Sequence, residues 1–189
     1  NLDLFDIKIL TANESVDELI FLANEFNPEA ICLKRESDLR KVKNKINSKK
    51  INLHFGPEGL LQCAKLKTDI VIAGIVGLAG LNPLIESIKN SKKVCIANKE
   101  CFVSAGALIM NEAKKYNTKI LPLDSEHNAI FQILEQSNNS LKEIYLTASG
   151  GPFYGYSEEE LAKVKVEDAV KNPNWDLSLI HISEPTRRT

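Results

Sequence analysis

The feature that most constrains the fold is a regular alternation of two kinds of segment. Short apolar runs bounded by turn residues recur along the chain, at 6–12, 30–33, 51–55, 69–77, 93–98, 119–123 and 143–149. Between them lie segments with apolar residues three and four positions apart, among them 15–26, 81–90 and 103–116. Because the first kind suits buried strands and the second suits helices, the alternation predicts an α/β fold with a doubly wound parallel sheet.

The composition favours a chain that binds small molecules. Hydrophobic residues make up 43% and charged residues 26% of the 189 residues, and the formal net charge is -1. So small a charge gives no overall field for nucleic acid or an anionic membrane, and no apolar run reaches the ~18 residues of a transmembrane helix. The first twenty residues carry acidic side chains that fit neither a secretory signal nor a transit peptide. We therefore expect no nucleic-acid partner and no membrane.

The cysteines do not suggest a metal site. They are scattered through apolar segments without a CxxC pair, which disfavours zinc and says little for disulfides. We expect reduced and mostly buried thiols at Cys32, Cys63, Cys95 and Cys101.

Two predicted strand ends carry residues suited to ligand binding. Gly74, Gly77 and Gly80, spaced three apart, stand at the end of an apolar run, where glycine lets the backbone approach a ligand and the next helix offers N–H groups to an anion. A tight packing turn between strand and helix explains these glycines equally well. Lys99 follows the next run, where a cation can hold a phosphate or polarise an oxygen. An ordinary exposed turn lysine is the alternative.

The segment LPLDSEHNAIFQ (121–132) brings two carboxylates, a hydroxyl, an imidazole and an amide to one turn. In an extended segment, residues i and i+2 face the same way about 7 Å apart, so Asp124 and Glu126 can aim carboxylates at one ion. Two hard oxygen ligands suit Mg²⁺ or Mn²⁺. Alternatively, Asp124 or Ser125 caps a helix that begins near His127.

A further strand end, LTASGGPF (146–153), runs into Ser149. Its Ser-Gly-Gly turn exposes a hydroxyl and consecutive backbone N–H groups, an arrangement that can hold a phosphate. A sharply bending loop is the alternative, and the spacing does not decide between them.

Taken in order, the segments IVGLAGL, ANKECFVSAG, LPLDSEHNAIFQ, ASGGPF and NPNW closely resemble signature segments of the 1-deoxy-D-xylulose 5-phosphate reductoisomerase family, over residues 7–175. The resemblance implies a Rossmann-like NADPH-binding domain leading into the start of an α/β catalytic domain. It implies an enzyme of the non-mevalonate isoprenoid pathway that uses NADPH and a divalent metal, Mg²⁺, Mn²⁺ or Co²⁺. It also implies a homodimer when full length, in the bacterial cytoplasm or a plastid.

The resemblance also assigns roles to individual residues. It implies that Asp124 and Glu126 bind the metal and that these two residues and Lys99 carry the catalysis. The contacts it implies for the sugar phosphate substrate are Lys99, Ser125, Glu126, Ser149, Asn172 and Trp175. The contacts it implies for the cofactor are Gly74, Gly77, Asn98, Lys99, Glu100 and Asn13.

Several features depart from the family pattern. The glycine-rich head of the family does not precede the first strand. Asn13, Glu14 and Ser15 stand where relatives tend to carry a basic residue for the 2′-phosphate of NADPH, which leaves the preference for NADP open. Asn172 stands where the family has a histidine that contacts the substrate.

These departures define the expected organisation of the chain. Residues 1–122 are expected to form a partial NADPH-binding domain and residues 123–175 the start of a catalytic domain. Residues 176–189 match nothing in the family pattern and are interpreted as an artefactual tail. The alternative to an enzyme segment is a catalytically inactive fragment or a non-catalytic binding module that keeps the fold.

Overall fold

The computed structural model describes residues 4–48, 50–136, 141–145 and 152–169. The chain divides into two compact units, Asn1–Asn128 and Ala129–Thr189. Both sheets described below lie in the first unit. Within the described ranges, no helix combines the length and the apolar character needed to cross a membrane.

Three parallel strands near the start of the chain form the first sheet. They lie side by side in the order β1 (Ile9–Ala12), β2 (Ala30–Leu33) and β3 (Asn52–Phe55). Each strand is followed by a helix, and these are α1 (Val16–Phe26), α2 (Leu39–Lys45) and α3 (Gly56–Ala64). A short 3₁₀ turn, Glu36–Asp38, precedes α2. The expected alternation of strand and helix is therefore present.

Three further parallel strands form the second sheet. They lie in the order β4 (Thr68–Ala73), β5 (Ser91–Ile96) and β6 (Lys119–Pro122). The helices that follow them are α4 (Leu81–Asn90), α5 (Lys99–Tyr116) and α6 (Ser125–Gln136). A 3₁₀ turn, Leu78–Gly80, joins β4 to α4. The α/β class with parallel strands is confirmed, and the described strands form two three-stranded sheets.

The second unit shows less regular structure where it is described. Two four-residue helices occur there, α7 (Glu158–Leu161) and α8 (Val166–Ala169). The strand expected at 143–149 is not formed at residues 143–145, and the rest of it lies outside the described residues. Ser157 caps α7, since its Oγ accepts a hydrogen bond from Glu160 N at 3.3 Å. In return, Ser157 N donates to the Glu160 carboxylate at 2.7 Å. This hydrogen bond holds the pKa of Glu160 below its usual value.

Each sheet has its own hydrophobic core. The first is centred on residues of α1 and β2, including Leu19, Ala23, Ile31 and Leu33. The second is formed by α4, β5 and α5, including Ile88, Val94, Ile96 and Ile109. All four cysteines are buried and free, as the sequence predicted.

The two faces of the second sheet differ in burial. Two isoleucines, one on each face, test how much the buried face contributes to stability. Ile96 pairs with Ala73 and is 2% exposed in the core, whereas Ile72 points to the other face and is 66% exposed. We expect Ile96→Ala to lower the free energy of unfolding by about 2–5 kcal/mol, because it leaves a cavity. We expect Ile72→Ala to cost about 1 kcal/mol or less.

Urea unfolding followed by circular dichroism measures both changes. Equal losses in the two variants would show that the second core does not lie between β5 and its covering helices.

Candidate functional site

The segments that follow β4, β5 and β6 lie side by side at one edge of the second sheet. The ladder of hydrogen bonds continues past the strand ends, because Ala97 N donates to Ala73 O at 3.0 Å and Leu123 N donates to Ile96 O at 2.8 Å. The carboxyl ends of neighbouring parallel strands are where open α/β sheets bind ligands. The structure therefore brings three of the segments selected from the sequence to a single edge.

Asn98 holds two of these segments together. Its side-chain Nδ2 donates to the carbonyl oxygens of Ile75 and Gly77, the second at 2.8 Å. Its Oδ1 accepts a hydrogen bond from Cys101 N at 3.0 Å and so caps α5. With 6% exposure, Asn98 is a buried polar group whose donors and acceptor are satisfied by backbone. Its expected contact with the cofactor stays a prediction.

The three glycines after β4 differ in how strictly the structure requires a glycine at their positions. A Cβ atom on Gly80 would lie 2.8 Å from Ile75 O and 3.0 Å from Asn98 Nδ2, so only glycine fits there. Gly77 adopts a φ of 70°, which favours glycine. A Cβ atom on Gly74 would meet nothing within 4 Å, and this residue is exposed. The packing explanation thus holds for Gly80, while Gly74 leaves room for a ligand.

Lys99 and Glu100 occupy the first turn of α5, directly after the buried Asn98. Both are half-buried at the carboxyl end of β5, which is the position the sequence predicted for Lys99. Burial, followed by the charge of Glu100, raises the pKa of the Cys101 thiol. Cys101 Sγ lies 3.7 Å from Gly77 O and donates to it. Cys101 is therefore a neutral thiol that packs against the turn.

Asp124 is the N-cap of α6. Its Oδ1 accepts hydrogen bonds from His127 N at 3.1 Å and from His127 Nδ1 at 2.7 Å, and its backbone oxygen accepts from Asn128 N at 2.9 Å. The capping alternative is confirmed. The extended geometry expected for 124–126 is wrong, because α6 begins at Ser125 and places Glu126 in its first turn. Capping does not exclude metal binding, since a carboxylate has about four lone-pair sites.

The Asp124 carboxylate is only 12% exposed, whereas the His127 side chain is 60% exposed. A histidine hydrogen bond of this kind fixes the orientation of a carboxylate. His127 has a clear role here that sequence reasoning did not select. An Asp three positions before it was the available signal for a cap.

The predicted site residues fall into three groups. Those that the structure brings to the edge of the second sheet are Gly74, Gly77, Asn98, Lys99, Glu100, Asp124, Ser125 and Glu126. Asn13 is exposed after β1, in the first sheet. Ser149, Asn172 and Trp175 lie outside the described residues. Among the described side chains, no group of three or more His, Cys, Asp or Glu is placed to hold a metal ion.

Two family models match the chain. The model for 1-deoxy-D-xylulose 5-phosphate reductoisomerase matches residues 1–106. The model for the C-terminal domain of 1-deoxy-D-xylulose 5-phosphate reductoisomerase matches residues 120–183. Together they include every segment that carries the resemblance found in the sequence.

Curated relatives carry the same name. The 1-deoxy-D-xylulose 5-phosphate reductoisomerase of Phocaeicola vulgatus is 44% identical over 176 residues, which are 93% of this chain and 46% of that protein. The protein of that name from Clostridium perfringens is 41% identical over 177 residues, 92% of this chain and 46% of that protein. The chain thus spans about half the length of the curated relatives it matches.

Solved structures agree in fold. The reductoisomerase from Zymomonas mobilis in complex with NADPH superposes with a TM-score of 0.76 at 37% identity, covering 90% of this chain and 45% of that one. A DOX-P reductoisomerase in complex with NADPH, fosmidomycin and magnesium gives a TM-score of 0.70 at 36% identity, covering 93% of this chain and 46% of that one.

The contact between Gly80 and Asn98 generates a prediction. Gly80→Ala should lower the free energy of unfolding by about 1–3 kcal/mol, because the added methyl group collides with Ile75 O and displaces the Asn98 amide. Gly74→Ala, a matched change in the same turn, should stay within about 0.5 kcal/mol because its methyl group meets open space. Chemical denaturation measures both, and a Gly74 variant that loses as much as the Gly80 variant would contradict the packing role.

Proposed function

Because the chain belongs to the 1-deoxy-D-xylulose 5-phosphate reductoisomerase family, we propose that it is part of an enzyme that converts 1-deoxy-D-xylulose 5-phosphate to 2-C-methyl-D-erythritol 4-phosphate in isoprenoid biosynthesis. The reaction is an isomerisation followed by an NADPH-dependent reduction, with a divalent metal ion. One observation carries the proposal: the segments 98–100 and 124–126 lie side by side at the carboxyl ends of β5 and β6.

The residues at this edge suit a divalent cation. Asp124 presents a carboxylate that His127 orients, and Glu126 adds a second carboxylate in the first turn of α6. Mg²⁺, Mn²⁺ and Co²⁺ bind hard oxygen donors such as carboxylates. The N-terminus of α6 is compatible with these two carboxylates, because the helix dipole favours negative charge at that end. Magnesium is present in solved structures of relatives. We infer that Asp124 and Glu126 hold the metal.

The turn after β4 suits a dinucleotide. Gly74 is exposed, and no atom lies within 4 Å of where its Cβ would stand. A backbone without a side chain at a strand end allows a flat ring or a phosphate to approach closely. We infer that Gly74, Gly77 and the 98–100 segment face NADPH, and that Asn13 lies near its 2′-phosphate.

The chain's own groups then bind and position the substrate. When bound, the metal would supply Lewis-acid stabilisation of negative charge on substrate oxygens, and NADPH would supply a hydride. Lys99 provides a fixed cation on the first turn of α5 for a substrate oxygen or phosphate. Asn98 keeps the turn after β4 at a constant distance from Lys99, which holds cofactor and substrate in one geometry.

The same proposal includes the other substrate contacts, the oligomeric state and the location of the complete enzyme. Ser125, Ser149, Asn172 and Trp175 contact the sugar phosphate. The complete enzyme is a homodimer in the bacterial cytoplasm or in a plastid. The support for these statements is the resemblance of the segments that carry the residues.

Asp124 allows the metal role to be separated from the capping role. Asparagine caps helices as well as aspartate does, so Asp124→Asn should leave the stability of the fold within about 0.5 kcal/mol. The same change removes a charged ligand, so the affinity for Mn²⁺ should fall at least about tenfold. Calorimetric titration of the purified chain with Mn²⁺ measures the affinity, and chemical denaturation measures the stability.

Asp69→Asn is the matched control. Asp69 is an exposed aspartate of the same sheet, at the opposite end of β4, where it pairs with Lys92. Its substitution should leave the affinity for Mn²⁺ unchanged. Equal affinities in the unsubstituted chain and both variants would remove Asp124 from the metal site.

Turnover is tested in a chimera. The matched segment of this chain replaces the corresponding segment of the Clostridium perfringens relative, and NADPH consumption is followed with 1-deoxy-D-xylulose 5-phosphate and Mg²⁺. We expect Lys99→Ala to lower kcat/KM by about tenfold to a hundredfold, the loss of a charge-assisted hydrogen bond. Lys114→Ala changes an exposed lysine of the same helix, and should leave kcat/KM within about twofold.

Two outcomes would contradict the proposed enzymatic activity. One is equal activity in the two lysine variants. The other is a chimera with native circular dichroism that binds NADPH but shows no turnover, which would favour the binding-module alternative.

A further inference from the structure

Cys32 and Cys63 meet in a small buried cluster beneath the first sheet. Cys32 is 3% and Cys63 is 2% exposed, and the cluster also contains Ala30. The alternation of side chains along β2 explains the arrangement: Ile31 and Leu33 point to the core formed with α1, so Ala30 and Cys32 point the other way, toward α3. The two cysteines therefore face each other across the contact between β2 and α3.

The start of α3 fixes this contact. Cys32 Sγ lies 3.8 Å from the carbonyl oxygen of Gly56, the first residue of the helix. Cys63 follows seven residues later, about two helical turns, and so lies on the same helix face as Gly56. Gly59 lies between them, where a Cβ atom would stand 3.0 Å from His54 Cβ, so the helix packs closely on the sheet. The close packing of α3 on β2 thus keeps the Cys32 and Cys63 thiols in one cluster.

The two thiols interact directly. The side-chain hydrogen bond between them lowers the pKa of Cys32, and the same bond, with burial, raises the pKa of Cys63. Cys32 is therefore the thiol that ionises first, and Cys63 donates a hydrogen bond to it. By contrast, burial raises the pKa of Cys95 and of Cys101.

We propose that Cys32 and Cys63 form a dithiol site that a hydroperoxide oxidises to an intramolecular disulfide joining β2 to α3. Neither residue belongs to the site at the edge of the second sheet, so the inference does not depend on the proposed enzymatic function. The bond would close the segment 33–62, which includes α2 and β3.

The chemistry balances with the hydroperoxide as the oxidant. The Cys32 thiolate attacks the terminal oxygen of the hydroperoxide, the O–O bond breaks, and the alcohol leaves with a proton, which gives a sulfenic acid on Cys32. The Cys63 sulfur, losing its proton, then attacks the Cys32 sulfur, and the hydroxyl group leaves as water. The hydroperoxide is reduced by two electrons, and the two thiols are oxidised to one disulfide.

Burial determines which oxidants reach the pair. With 3% and 2% exposure, the sulfurs become accessible through local opening of α3 from β2, which suits a small oxidant better than a bulky reagent. Hydrogen peroxide is therefore the probe for the native chain.

The test is a thiol and peptide map of the native 189-residue chain after treatment with hydrogen peroxide. We expect the number of thiols that alkylate after denaturation to fall from four to two. Mass spectrometry should find one cross-linked peptide pair, containing Cys32 and Cys63 and lighter by two hydrogen atoms. Cys95 and Cys101 should be recovered alkylated, and treatment with a dithiol reductant should restore all four thiols.

Variants separate the roles of the two sulfurs. The Cys95→Ser, Cys101→Ser double variant keeps the pair and should form the same cross-link. In Cys63→Ala, the sulfenic acid on Cys32 has no partner, and a cyclic 1,3-diketone that traps sulfenic acids should label Cys32. In Cys32→Ala, Cys63 should stay unlabelled.

Three results would overturn the proposal. They are four thiols still alkylating after treatment of the natively folded chain, a cross-link between any other pair, and oxidation of Cys32 to sulfinic acid without a cross-link. The map of the unsubstituted chain decides the matter even where a single variant fails to fold.

Discussion

The hydrogen bonds of Asn98 are the constraint on which the candidate functional edge of the second sheet depends. One side chain closes the turn after β4 through two carbonyl groups and starts α5 through Cys101 N. Because the residue is buried, an unpaired amide there would cost about 1–3 kcal/mol, so each of these partners must stay in place. The position of Lys99, one residue later, follows from this arrangement. The buried Asn98 thus fixes the position of the partly accessible Lys99.

A second side-chain cap of the same kind occurs at the end of β6. Asn98 accepts from the backbone N–H three residues later, and Asp124 accepts from His127 N, also three residues later. In each case a strand of the second sheet passes through a capping residue into a helix whose first turn carries polar side chains. Since the two strands are neighbours in a parallel sheet, the two first turns are presented at the same edge.

The sequence predicted the parts of this arrangement that depend on local patterns. Apolar runs located β4, β5 and β6, and the polar residues after them located the edge of the sheet. The geometry of 124–126 could not be read in the same way, because the choice between an extended segment and a helix start depends on whether a side chain finds a backbone partner. His127 supplies that partner through its backbone N–H, and its ring Nδ1 donates a second hydrogen bond to the same Asp124 oxygen.

Contacts distant in sequence were also beyond prediction. The need for glycine at position 80 comes from Ile75 O and the Asn98 amide, and the latter lies eighteen residues further along the chain, beyond α4 and β5. The same holds for Cys32 and Cys63, which read as two separate apolar positions until β2 and α3 pack together. Residues 146–149, 172 and 175, which include the other proposed substrate contacts, lie outside the described residues.

The two capping residues are not interchangeable, and the difference shows how structure and chemistry divide between them. Position 98 needs a donor, because the carbonyl oxygens of Ile75 and Gly77 must be paired, and an aspartate there would place a buried charge against two acceptors. Position 124 needs only acceptors for its cap, which leaves the chain free to place a charged carboxylate there. An amide would satisfy that helix equally well. The carboxylate at 124 is therefore the member of the pair whose charge the cap does not require, and that charge fits the metal site proposed there.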